Sequence, residues 1–161
     1  MVKSVEPVEF YSLAKEPISS NSVSYIYKNT FGEYRLVEGG ERLSRLELWT
    51  KRYTLRYKVT RQSFEYKNER EYYSKDPVKN FFVILRMNIS VKDPIAIVKS
   101  EIDDVQSYLD LNIPFWIQPI IEKYGIEDID KVKKVVQQID QCTEIRSDLE
   151  SKGFAVNQVL A

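Results

Sequence analysis

Phe81-Phe82-Val83-Ile84-Leu85-Arg86-Met87-Asn88-Ile89-Ser90-Val91 runs straight into Lys92-Asp93-Pro94. The odd-numbered positions are all apolar, the period of a strand with one buried face. Pro94 ends it, because proline has no N–H to give to a ladder. The same residue suits the first turn of a helix, and Asp93 suits its N-cap. About sixty helix-like residues follow, then Gly153 and a short closing strand, Phe154–Leu160.

Before this stretch the chain reads as strands. Val8–Leu13 and Val23–Tyr27 are expected on either side of a Pro17/Ser19/Ser20/Asn21 turn cluster, and Glu33–Val37 as a third. Gly39-Gly40 reads as a tight turn leading into Leu43–Trp49. Thr54–Tyr66 alternates Leu55, Tyr57 and Val59 with Arg56, Lys58 and Thr60, as a half-buried antiparallel strand does. Lys67–Lys79, dense in charge and tyrosine and holding Pro77, reads as a long hairpin loop.

After Pro94, the spacing predicts about three helices. The first carries Ile95, Ile97, Val98, Ile102, Val105 and Leu109. The second restarts at Asn112-Ile113-Pro114, with Pro119 kinking or shortening it and Gly125 as a stop. The third bears a stripe of Val132, Val135, Val136, Ile139, Cys142, Ile145 and Leu149. Strands first, helices next and one returning strand predict an α+β fold. It comprises an antiparallel, curved sheet from the N-terminal half, helices from the C-terminal half and the closing strand. At 161 residues the expectation is one domain over 1–161, strand-rich at 8–92 and helical at 94–152.

Composition narrows the chemistry. There is no histidine, which removes the commonest general base near neutral pH and any Cys/His zinc site. Cys142 is the only cysteine, so no intramolecular disulfide forms, and its place in an apolar stripe reads as a buried structural thiol. No window approaches the roughly 18 apolar residues needed to span a bilayer, and the N-terminus lacks a signal-peptide core. The expected location is cytoplasmic, with any membrane association through a partner or a further segment.

Net charge is zero, but its distribution is uneven. Residues 51–67 carry +5 and residues 101–150 carry −7. The two regions have the complementarity to meet within one fold or between copies of it.

The acidic groups Glu101, Asp103, Asp104 and Asp110, and Glu127, Asp128 and Asp130, read as solvated helix faces and first-turn acids. No catalytic, cofactor or metal site is expected. In residues 51–67, Tyr53, Tyr57, Phe64 and Tyr66 interleave with cations, a composition that also suits single-stranded nucleic acid. The same alternation predicts tyrosines packed inward. Arg52, Arg56, Lys58 and Arg61 are the candidate interaction residues there, with Trp116 beside Pro114-Phe115 as a candidate anchor.

Val83–Pro94, the helical stretch through Tyr124-Gly125-Ile126-Glu127-Asp128-Ile129, and Leu149-Glu150-Ser151-Lys152-Gly153-Phe154-Ala155-Val156, in that order and spacing, resemble the SPFH (band 7, stomatin/prohibitin-like) domain. Glu38-Gly39-Gly40-Glu41-Arg42 is similar to the glycine turn before an early strand in that family. The resemblance implies an α+β domain that scaffolds and oligomerises through protein–protein contacts, with no enzymatic activity and no cofactor. The alternative from the residues themselves is a nucleic-acid-binding module using the basic, tyrosine-rich strand at 51–67.

Overall fold

The structure, a computed structural model, describes residues 2–8 and 15–161. Helices take 34% and strands 35% of the residues, segregated along the chain, so the α+β class holds. The strands are shared between two antiparallel sheets, and the chain divides into two compact units.

The first unit is built from Met1–Gln62 and Val91–Asp104. Its strands are β1 (Lys3–Pro7), β2 (Val23–Asn29), β3 (Tyr34–Val37) and β4 (Tyr53–Thr60), in the order β1-β4-β2-β3. All three pairings are antiparallel. Helices α1 (Arg45–Thr50) and α2 (Pro94–Lys99) complete it. One cluster of Val8, Tyr27, Val37, Leu43, Leu48 and Tyr53 forms a core. Helix α2 packs against β2, β3 and β4, burying Ile97.

Asp93 caps α2 as expected: its Oδ1 accepts the N–H groups of Ile95 (3.0 Å) and Ala96 (3.2 Å). The other end is held by Lys3, whose buried Nζ donates to the carbonyls of Ile97 and Val98, each at 3.2 Å. A cation on the last carbonyls of a helix satisfies acceptors that the helix itself leaves open.

The strand expected at 8–13 falls on residues that, apart from Val8, lie outside the described ones. Val8 is buried outside any strand, and its N–H donates to the Thr54 carbonyl at 2.9 Å. Leu43–Trp49, placed by its sequence in the strand-rich half, instead contains α1. Ser44 Oγ accepts the Glu47 N–H at 3.1 Å and so caps the helix.

The strand read as continuous through Tyr66 stops at Thr60. The Arg61 N–H turns to the Ser22 carbonyl (2.7 Å) and its guanidinium to Glu38 (2.6 Å), and the chain leaves the sheet.

The second unit is built from Ser63–Ser90 and Val105–Ala161. Its sheet has the order β5 (Phe64–Tyr73), β6 (Asn80–Val91), β7 (Phe154–Leu160). The decisive strand behaves as read except at Val83, which is half-buried: Phe81, Leu85, Met87, Ile89 and Val91 are buried, and Phe82, Ile84 and Arg86 are exposed. Much of the predicted loop 67–79 is strand, however. β5 pairs with β6 from Phe64↔Ile89 to Tyr73↔Asn80, leaving only a short turn. Tyr66 and Tyr72 face inward, whereas Glu65, Lys67, Glu69 and Glu71 stay in water on the other face.

Four α-helices, not three, lie between Pro94 and Ser151. Helix α3 (Val105–Ile121) runs unbroken through Pro114 and Pro119. Val105, Leu109, Ile113, Ile117 and Ile121 recur every four residues and are all buried, which holds the helix together along its length. The break falls earlier, where Glu101 has φ of 59°.

The third predicted helix is α4 (Ile129–Gln137), a 3-10 turn (Ile139–Gln141) and α5 (Thr143–Ser151). At 100° per residue, Val132, Val136 and Ile139 lie about 120° around a straight helix from Ile145 and Leu149. The break at Cys142, whose backbone is extended, lets both sets be buried.

Candidate functional site

The basic candidates in the first unit divide into paired and exposed groups. Arg56 donates to Glu16 Oε2 at 2.8 Å and to Glu6 Oε2 at 2.5 Å. The buried Tyr27 hydroxyl donates to the same Glu16 oxygen at 2.7 Å. Arg61 is held by Glu38. Arg52 and Lys58 are exposed, Arg52 in the left-handed region at φ of 52° between α1 and β4. Tyr53 is buried and Tyr57 half-buried in this unit; Phe64 and Tyr66 belong to the second, where Tyr66 is buried. Residues 51–67 are therefore not one strand with one aromatic face. Trp116 is half-buried on α3 and belongs to the second unit, whereas the four basic candidates belong to the first.

The acidic candidates are likewise dispersed. Asp103 lies 3.7 Å from Lys3, Asp128 pairs with Lys131 at 2.6 Å, and Asp110 accepts the Tyr66 hydroxyl at 2.9 Å. Among the described residues, no three Asp, Glu or Cys side chains gather as metal ligands. Cys142 is a half-buried free thiol.

Two features stand out that the sequence reading did not single out. The first is an apolar end of the first unit. Asn29 Oδ1 accepts the N–H groups of Phe31 (3.0 Å) and Glu33 (2.8 Å), which shapes the β2–β3 turn and leaves Phe31 71% exposed. The Thr30 N–H donates to the Arg52 carbonyl (3.3 Å), and the Arg52 N–H to that of Trp49 (3.3 Å), tying this turn to the end of α1. On α1, Leu46 and Trp49 are three residues apart and 73% and 61% exposed. Lys51 and Arg52, also exposed, adjoin them.

The second is a cleft of about 610 Å³ within the second unit, between the end of β5 and the outer side of α3. Tyr73, Leu111, Pro114, Phe115 and Pro119 give it apolar walls. Gln118 clamps the walls together: its Oε1 accepts the Tyr73 N–H and its Nε2 donates to the Tyr73 carbonyl, both at 3.1 Å.

Tyr72 also lines this cleft, with its hydroxyl buried and unpartnered among the described residues. Burial pushes the phenol up, so it stays neutral. An unsatisfied buried hydroxyl costs about 1–3 kcal/mol. Tyr72→Phe is accordingly expected to raise the unfolding free energy by about 1 kcal/mol. A urea titration checks this, and a loss of stability would show that the hydroxyl is satisfied.

No protein-family model matches this chain, and no curated protein matches it in sequence.

Proposed function

We propose that this chain is a non-enzymatic assembly module, of the kind its resemblance to the SPFH domain implies, and that it works by binding further copies of itself. The observation that supports this is the grouping of Phe31, Leu46 and Trp49, exposed beside Lys51 and Arg52. Single exposed apolar residues are ordinary, but a cluster on adjoining turns is a mark of contact surfaces. Tryptophan and phenylalanine with an arginine beside them are the residue types that interface centres favour. The complementary charge is available on the same molecule, since residues 101–150 carry −7. A contact that joins the basic apolar end of one copy to the acidic helices of the next uses two different patches. Contacts of that kind close into rings or run on as filaments. We place this module in the cytoplasm, reaching a membrane only through a partner or a further segment.

Light scattering coupled to size exclusion tests the reading. The mass is expected to rise above 19.0 kDa with concentration at low salt. It should fall back toward the monomer in high salt, which screens the charge pairing. Trp49→Ala with Phe31→Ser, both at exposed positions, should abolish the rise. A mass of one chain at every concentration would overturn self-assembly.

A further inference from the structure

β5 is an edge strand: β6 pairs with one side of it, and among the described residues no strand takes the other. Tyr73 fixes which backbone groups face that open side. In an antiparallel ladder the N–H and C=O of one residue point the same way, and neighbours alternate. Both groups of Tyr73 are engaged by the Gln118 carboxamide, so they turn away from Asn80, the β6 partner of Tyr73. The register runs without a shift, so Glu71 and Glu69 also turn their N–H and C=O outward. The Gln118 carboxamide stands where a peptide unit of an adjacent strand would stand. The cleft continues this edge, with Leu111 and Phe115 exposed on its helical wall. Pro114 has no N–H for the Asp110 carbonyl and Pro119 none for the Phe115 carbonyl, so that wall lacks two helical donors.

We propose that this groove takes an extended segment of a partner protein, which adds to β5 as a further strand. Main-chain bonds to Glu71 and Glu69 would give affinity, and side chains would give specificity. Successive side chains of an added strand alternate between the two faces. One set meets the helical wall at Leu111 and Phe115 and must be apolar. The other lies on the open face, where Glu69 is already paired with Lys67 at 2.5 Å and Glu71 is exposed, so it carries Lys or Arg opposite Glu71. The partner segment therefore alternates apolar and outward-facing residues, with Lys or Arg at the position opposite Glu71. This site is separate from the Phe31/Trp49 end and does not depend on self-assembly there.

Selection of random nonapeptides on the full chain tests the proposal. Enriched peptides are expected to alternate apolar residues with polar ones that include a Lys or Arg. A synthetic copy should slow hydrogen exchange at the Glu69 and Glu71 amides. N-methylation of its pairing residues, or Phe115→Asp in the protein, should each weaken binding at least tenfold. Phe115 is exposed, so an unchanged circular dichroism spectrum will show that this variant folds. No enrichment, or binding indifferent to both changes, would overturn strand addition. Dimerisation that Phe115→Asp abolishes, without peptide binding, would give the edge to a second copy and also overturn it.

Discussion

Arg56→Ala is expected to lower the unfolding free energy by about 3 kcal/mol. The Glu16 side chain is only 9% exposed and that of Arg56 21%, so most of this pair is out of water. Removing one partner of a buried pair leaves the other charge unsolvated and costs about 3–5 kcal/mol. The lower end applies, because Arg56 retains some exposure and its second partner, Glu6, is on the surface, where a pair adds little. Tyr27 shares the Glu16 oxygen, so the loss extends to the buried phenol of the core cluster. Arg56→Lys should regain only part of it, since one ammonium cannot span two carboxylates as the guanidinium fork does. Arg56→Met combined with Glu16→Gln should recover most of it, because no charge is then buried and the Tyr27 hydroxyl keeps an acceptor. Urea unfolding of the full chain reads all three. A loss below 1 kcal/mol for Arg56→Ala would mean that Glu16 is solvated. Lys58→Ala, at an exposed position, should stay within about 0.5 kcal/mol. Nucleic-acid binding is therefore better probed at Lys58 and Arg52 than at Arg56, whose loss unsettles the fold.

The strand whose buried face repeats without interruption was legible from sequence, whereas α3, equally regular, was split at Asn112 because its prolines read as breaks. Phe81–Val91 alternates without a slip, and Asp93-Pro94 carries both the strand stop and the helix cap. Where polar residues carry the structural role, the pattern was silent. Lys3–Pro7 has one apolar side chain, Val5, and that is exposed; its inward-facing residue is Lys3, bound to the end of α2. β5 was hidden for a similar reason, since its outward residues from 65 to 71 are all charged. Two signals were present and unread. Ser44-Arg45-Leu46-Glu47 has the spacing of a helix capping box. The stripe from Val132 to Leu149 changes phase after Ile139, which marks a break rather than one helix.

The candidate site was less legible still, because it depends on pairing. Arg56 and Lys58 look alike in sequence, and only the fold brings Glu6 and Glu16 to one of them. Phe31 and Trp49 are eighteen residues apart and are joined through the backbone of Thr30 and Arg52. The open edge of β5 depends on the direction of the Tyr73 backbone, which no side-chain pattern encodes.

Alkaline pH is expected to unfold this protein steeply, because its fold holds phenols neutral. Tyr27 and Tyr66 are fully buried, and each hydroxyl donates to a carboxylate, Glu16 and Asp110 respectively. Burial first, then the bond to the carboxylate and its charge, push both phenols well above their ordinary value of 10. Below about pH 10 both the folded and unfolded states keep these protons, and the full stability is present. Above it the unfolded chain releases them while the folded one does not. The folded state then binds more protons, so stability falls as pH rises, by about 1.4 kcal/mol per unit for each phenol. Tyr108, half-buried and donating to Asp148, adds a smaller share in the same direction. Roughly 3 kcal/mol per pH unit from the two buried phenols exhausts a typical stability of about 5–15 kcal/mol within a few units. Urea midpoints between pH 8 and 11.5, followed with phenolate absorbance, check the slope. The phenolate absorbance of Tyr27 and Tyr66 should appear together with the loss of circular dichroism. Tyr66→Phe should cost about 1 kcal/mol at pH 8 by removing its hydrogen bond, and should make the alkaline slope markedly shallower. A flat profile from pH 10 to 11, or full phenolate absorbance with the spectrum of the folded chain intact, would show that these hydroxyls are open to solvent.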